Sequence, residues 1–345
     1  MTPRLAKILR YAGLVAFYLF ALVIFCFLTF PYERLRDRLV DEFNSSQTGP
    51  EPLRLQLESL GAYWIGGVEA KGVQLISPPK RATTASSDGS VSPAKPSILR
   101  VDSAHARVSL LSLIFGSVDL SFGADAFGGT ISGTTSESDG TRAVELTIED
   151  VSLAEAPLLA EAIGLPMAGT VGGTLDFRLP EGKLAKADGT LNLEILGLSA
   201  GDGKAKIRDT IALPKVEAGD LKVVGDASEG QLKFTDFSAK GPDLELVAEG
   251  SMRLRDPLPT SLLSMTARFR FTERYTTKSE LTKVLFGAPG STAPGLFDLD
   301  PKNKRAKRPD GFYGYRASGT LSSPSFTPNP GSASAKEKGS KSADE

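Results

Sequence analysis

Polar and apolar positions follow two regimes along this chain. From Tyr11 to Phe30 there are twenty residues without a charge. As a helix rising ~1.5 Å per residue, that run is about 30 Å long, the thickness of a bilayer's hydrocarbon core. Beyond it, apolar and polar residues alternate in short runs with a period of two, the signature of a half-buried strand. The clearest is "LELVAEGSMRLR", with Leu244, Leu246, Ala248, Met252 and Leu254 on one face and Glu245, Glu249, Ser251, Arg253 and Arg255 on the other. The same alternation places Leu53, Leu55 and Leu57 together, then Leu175, Phe177 and Leu179, then Leu191, Leu193 and Ile195, then Met265, Ala267, Phe269 and Phe271. In "GQLKFTDFSAKG" the step slips between Phe234 and Phe237, which predicts a β-bulge. A Gly-Thr-aliphatic unit recurs at Gly129, Gly169, Gly173, Gly189 and Gly319 and reads as a turn opening a strand.

Helix signals are few. They are "SLLSLIFG" (109–116), "LAEAPLLAEAIG" (153–164), and the capping box Thr277-x-x-Glu280 ahead of Leu281–Phe286, closed by Gly287. The polar stretches 78–97, 288–310 and 328–345 are too poor in apolar residues to offset ordering entropy and read as unstructured.

The apolar run 11–30 is expected to be a retained anchor. A signal-peptide core spans about 7–15 residues and ends in small residues. Here the run ends in Leu28-Thr29-Phe30-Pro31-Tyr32, and Phe25 before Cys26 argues against lipidation. Arg4, Lys7 and Arg10 on one side nearly balance Arg34, Arg36 and Arg38 on the other, so charge sets orientation only weakly. The expected division is a tail of residues 1–10, the anchor 11–30, a first β segment 31–77, a loop 78–97, a main β domain 98–287, a loop 288–310, terminal strands 311–327 and a tail 328–345.

Cys26 is the only cysteine, so no disulfide forms within the chain. Removing residues 1–38 takes away six Lys/Arg and two Asp/Glu, leaving 34 basic against 39 acidic residues, a net −5. A nucleic-acid partner needs a basic stripe and is not expected. The run Lys302, Lys304, Arg305, Lys307, Arg308 reads as a solvated loop. Catalytic signals are absent: the single histidine, His105, alternates with apolar positions and reads as a strand or loop residue, and no nucleotide-binding or nucleophile motif occurs. Neither catalytic residue, cofactor nor metal is expected. Trp64, the only tryptophan, is expected to pack in a core or an interface.

Residues 211–271, with Leu213-Pro214, Gly219, Glu229-Gly230, Gly241-Pro242-Asp243-Leu244, Gly250, Pro257-Leu258 and Ser261, resemble the type II secretion system protein N family in its δ-proteobacterial form. The upstream "AIGLPMAGTVGGTLDFRLPEGKLAKADGTLNLEILGL", the anchor followed by Phe30-Pro31 and the late "GYRASGTLSSPSFTP" fit the same family. More widely, "ILRVDSAHARVSLLSLIFGSVDLSFGADAFGGTISGT" resembles the repeated unit of AsmA-like and bridge-type lipid-transport proteins. The resemblance implies a single-pass inner-membrane protein with a periplasmic body and other type II secretion subunits as partners. No functional residues carry over from it.

The fold expected is therefore mainly β: an N-terminal transmembrane helix followed by a long, curved, mostly antiparallel sheet with two or three short helices. One apolar face per strand must be covered by a closed sandwich or barrel, or must form a partly open groove accepting phospholipid acyl chains. In the groove case Leu244, Leu246, Met252, Leu254, Phe269 and Phe271 would line it.

Overall fold

The computed structural model describes residues 3–47, 52–64, 66–78, 97–109, 112, 116–156, 166–202, 206–207, 211–212, 214–287 and 294–331. The chain is mainly β, with 56% of its residues in strands, antiparallel open pairing and few short helices. It divides into two compact units, residues 1–138 with 155–158, and residues 139–154 with 159–345.

The first unit opens with helix α1 (Pro3–Thr29) and helix α2 (Tyr32–Ser46). Pro31 disfavours helix at the residue before it, so α1 stops short of Phe30 and the chain restarts as α2. Among the described residues no single helix is long and apolar enough to cross a membrane; Gly13–Thr29 and Tyr32–Ser46, bent by 61°, qualify as a pair by length and composition.

Strands β1 (Arg54–Gln56), β2 (Ser59–Tyr63), β3 (Gly67–Ser77), β4 (Ser97–Val108), β5 (Val118–Ala126) and β6 (Gly129–Ser138) complete this unit. They pair in the order β1-β3-β4-β5-β6, with β2 also on β3. Gln56 faces Gln74 and Ser59 faces Lys71, so β1 and β2 are one interrupted strand in constant register. The predicted 53–57 strand is its first part. His105 lies on β4 as a strand residue, its ring stacked on Tyr63 at 4.4 Å and lying against Gly123 of β5. A Cβ on Gly123 would approach the imidazole Cε1 to 2.5 Å, so glycine leaves the room this ring occupies.

The second unit holds β7 (Thr141–Ser152), β8 (Met167–Pro180), β9 (Asp188–Ala200), the small hairpin β10 (Lys206–Ile207) and β11 (Ile211–Ala212), β12 (Val216–Ser228), β13 (Gln231–Lys240), β14 (Leu244–Arg253) and β15 (Leu262–Phe271). Four short helices follow: α3 (Glu273–Thr276), α4 (Glu280–Phe286), α5 (Leu296–Leu299) and α6 (Pro301–Ala306). Strands β16 (Tyr313–Thr320) and β17 (Ser323–Pro328) end it. The ladder runs β7-β8-β9-β12-β13-β14-β15-β16-β17.

The predicted bulge is present. Val224 faces Asp236 while Gly225 faces Phe234, so Thr235 is the extra residue. The slip returns Phe237 to the face of Phe234, and the two rings meet at 5.8 Å.

Several expectations need correction. Of the expected loop 288–310, residues 288–293 lie outside the described residues, and 294–310 are not a loose loop: Asp300 caps α6 through its side chain, Pro301 takes the first helical position, and Phe297 anchors α5 among aromatic rings. The capping box of α4 is built by Ser279 and Thr282, not Thr277 and Glu280, because Thr277 still has helical backbone as the C-cap of α3. Of the Gly-Thr units, Gly129 and Gly189 sit at or near the start of a strand, whereas Gly169 and Gly173 lie within β8 and Gly319 near the end of β16. In 153–164, Leu153–Glu155 form a single 3-10 turn, and 157–164 lie outside the described residues. Most of 109–116, the loop 79–96 and the tail 332–345 also lie outside them.

The turn after β8 carries a compact charge cluster. The Glu181 carboxylate accepts from Lys183 Nζ at 2.7 Å and from Lys186 Nζ. These lysine hydrogen bonds and charges hold the Glu181 carboxyl down at about 2. A depressed carboxylate contributes stability above its unfolded pKa of about 4.3 and loses it as pH falls through the folded value. The window here is from about 4 down to about 2, and the effect is small because the group is fully exposed. In the Lys183→Ala/Lys186→Ala variant, NMR titration should place the Glu181 midpoint back in the ordinary carboxylate range; an unchanged midpoint would show that the lysines do not set it.

Candidate functional site

The apolar face of the second unit is the candidate site. In an antiparallel ladder, residues directly opposite one another project to the same side. One row crosses eight strands through Val151, Val171, Ile195, Leu221, Ala239, Leu246, Phe269 and Tyr313. A second row runs through Val144, Phe177, Gly189, Ala227, Leu232, Met252, Leu263 and Gly319. The opposite face carries Glu145, Asp176, Thr190, Asp226 and Lys233, all exposed.

The two ends of the apolar face are closed differently. At one end Phe177, Leu179, Ala187, Ala227, Leu232 and Leu254 form a buried core, with Leu184 of a 3-10 turn and Met252 packed against it. At the other end α3 to α6 fold over β15 and β16. Phe271 packs on Tyr275 at 5.3 Å and on Phe286 at 4.7 Å, and Phe297 reaches Phe286 at 5.4 Å and Tyr313 at 5.1 Å. Buried phenols find partners: Tyr275 donates to the Pro214 carbonyl at 2.8 Å, and Tyr313 to Asp298 Oδ1 at 2.6 Å. Burial pushes both phenols up, with the Asp243 charge adding to the effect at Tyr275 and the Asp298 hydrogen bond adding at Tyr313.

This geometry divides the six predicted lining residues into three groups. Leu254 is 1% exposed and belongs with Met252 to the closed core end. Phe269 and Phe271 lie within the aromatic cap, which sequence periodicity did not reveal. Leu244 faces Phe271 and Leu246 faces Phe269, both leucines half-buried. Eight residues separate Met252 from Leu244, about 26 Å of extended strand, so the six do not converge on one point. Leu246, flanked by Ala239 and Ala248 in the middle of the face, belongs neither to the closed core end nor to the fully buried residues and stays half-buried.

Asp243, which enters the sequence pattern only within Gly241-Pro242-Asp243-Leu244, has no exposed surface. It accepts from Glu217 N–H at 3.0 Å and from Lys278 Nζ at 2.8 Å through Oδ2. Its Oδ1 has no hydrogen-bond partner, and Arg274 Nε stands 3.8 Å away. The Asp243 N–H also donates to the Glu217 carbonyl. This carboxylate ties the α3 region to β12 and so seats the aromatic cap on the sheet. The sequence signal was weak: an acid in "GPDL" between two strands looks like an ordinary turn residue.

Among the described residues no group of three His, Cys, Asp or Glu side chains is placed to hold a metal ion. A polar cleft of about 410 Å³ in the first unit is lined by Arg107, Ser109, Asp119, Ser121 and neighbouring threonines. Trp64 does not pack in a core of this chain: it is 72% exposed, in the turn between β2 and β3, with φ 48°. Comparisons of this chain with protein-family models, with curated proteins and with solved structures returned no match.

Proposed function

We propose that this chain is a non-enzymatic, inner-membrane-anchored component of the type II secretion machinery, with a periplasmic β body that works by binding other secretion subunits. What supports the anchor is the bent pair of α1 and α2, which qualifies by length and composition, together with the apolar surface of α1. Leu14, Val15, Phe17, Phe20, Phe25 and Leu28 are all about half or more exposed, a state that suits lipid rather than water. The secretion assignment is supported by the resemblance of residues 211–271 to the protein N family. The sheet supplies long strands for contact, and the end strand β17 offers Phe326, 58% exposed, to a partner. In a strain lacking the gene, type II substrates should disappear from the culture supernatant, and the full chain should resist carbonate extraction and crosslink to secretion subunits. A normal secretome would sink the assignment.

A second reading, an AsmA-like lipid-handling role, draws on the half-buried middle of the apolar face. It expects a photo-crosslinker at Leu246 to capture phospholipid in cells while one at Arg253, on the exposed polar face, captures none. If the Leu246 probe reacts only with its own chain, the lipid reading is dropped.

A further inference from the structure

We infer that Trp64 is a membrane-interface anchor: the hairpin tip between β2 and β3 dips into the headgroup region of the bilayer that α1 enters. This rests on reading α1 as a membrane anchor. The hydrogen bonds of the first unit define the geometry. Asn44 exchanges two hydrogen bonds with the backbone of Leu55, at 2.8 and 3.2 Å, and Arg36 donates to the Glu58 carbonyl at 3.3 Å. The strand β1–β2 therefore runs antiparallel to α2, toward the junction with α1. From Glu58 to Trp64 is six residues, about 20 Å of strand, whereas from Arg36 back to Tyr32 is four residues, about 6 Å of helix. The tip thus overshoots the start of α2 by about 14 Å. With α1 and α2 bent by 61°, about half of that overshoot is directed along α1, toward the membrane side of Tyr32.

Interfacial markers surround this level. The Tyr32 ring stacks edge-on with Phe27 and Phe30 at 6.0 and 5.1 Å, and Arg34 and Arg38 are exposed on the first two turns of α2. Tyrosine and tryptophan favour the headgroup level, where an apolar ring can carry a polar edge. Trp64 fits this position by exposure and by backbone. Its left-handed φ of 48° is uncommon for a bulky residue. Tyr63, in contrast, is held back by its stack on His105.

The chain has one tryptophan and one cysteine, so both levels can be read in the intact protein. The full chain, with a fluorophore on Cys26, is reconstituted into phosphatidylethanolamine/phosphatidylglycerol vesicles with and without acyl-brominated lipid. Trp64 emission should be blue-shifted, lose at least half its intensity to brominated lipid, and be several-fold less accessible to acrylamide than in the unfolded chain; the Cys26 probe should also be quenched by the lipid. If Cys26 is quenched but Trp64 stays acrylamide-accessible and untouched by bromine, the tip does not reach the bilayer and the inference fails while the anchor stands. If neither is quenched, the anchor reading fails and takes this inference with it.

Discussion

Gly189→Ala should cost the second unit about 3–5 kcal/mol, through backbone strain and overlap together. Gly189 has φ 148°, and a Cβ there would lie 1.9 Å from the Asp176 carbonyl oxygen and 2.8 Å from Phe177 Cδ1. Neither neighbour can yield cheaply. The carbonyl belongs to the β8–β9 ladder, and Phe177 is 6% exposed in the core that closes this end of the sheet. At about 2–4 °C per kcal/mol for a unit of this size, the thermal midpoint should fall by roughly 10 °C. Gly197→Ala separates the two causes. Its φ is 62°, but nothing lies within 4 Å of the added methyl, so strain acts alone and about 1 kcal/mol is expected. Calorimetry on both variants provides the measurement. A Gly189→Ala midpoint no lower than that of Gly197→Ala would refute the steric account of the β8–β9 crossing.

Lys278→Met should be nearly as damaging, by about 2–4 kcal/mol. Asp243 is fully buried, and removing Lys278 leaves its carboxylate with one backbone donor and a distant Arg274. Lys278 itself is 34% exposed, so water entering the gap softens the loss and places the figure below the full cost of a stranded charge. The double variant Asp243→Asn/Lys278→Met should recover at least half of the loss, because a neutral amide can still accept from Glu217 N–H. Loss of the single latch should also loosen the cap before the sheet melts. Amides of α3 and α4 should exchange faster, while those of β8 and β9 stay protected. Equal stability of the two variants would show that the ion pair is not what holds the cap.

Much of the strand layout was legible because it rests on local alternation. A period of two needs only neighbouring residues, and the runs at 175–179, 191–195, 244–254 and 265–271 fall within or along β8, β9, β14 and β15. The Phe234–Phe237 slip was legible for the same reason: a one-residue change of phase shows in the sequence before it shows in a ladder. Within the segment 288–310, residues 294–310 depart from the expected loose loop because their order is not local. Phe297, Asp298 and Asn303 are too few to form a core by themselves, but each meets an aromatic residue from another element, namely Phe286, Tyr313 and Tyr315. Composition counts what a segment carries and cannot count what another segment brings to it.

The uncharged stretch 11–30, the one-sided strands and the scarcity of helices were determined by the sequence itself, since charge placement and side-chain periodicity are properties of the local chain. Only the tertiary structure decided that Leu254 is sealed while Leu246 is half-open, that Phe269 and Phe271 lie under a helical cap, that Asp243 is a buried latch and that Trp64 projects from a hairpin tip. Each of these depends on pairing register and on contacts between residues tens of positions apart. Alternation names the face a side chain takes, but the neighbours across the sheet determine whether that face is covered.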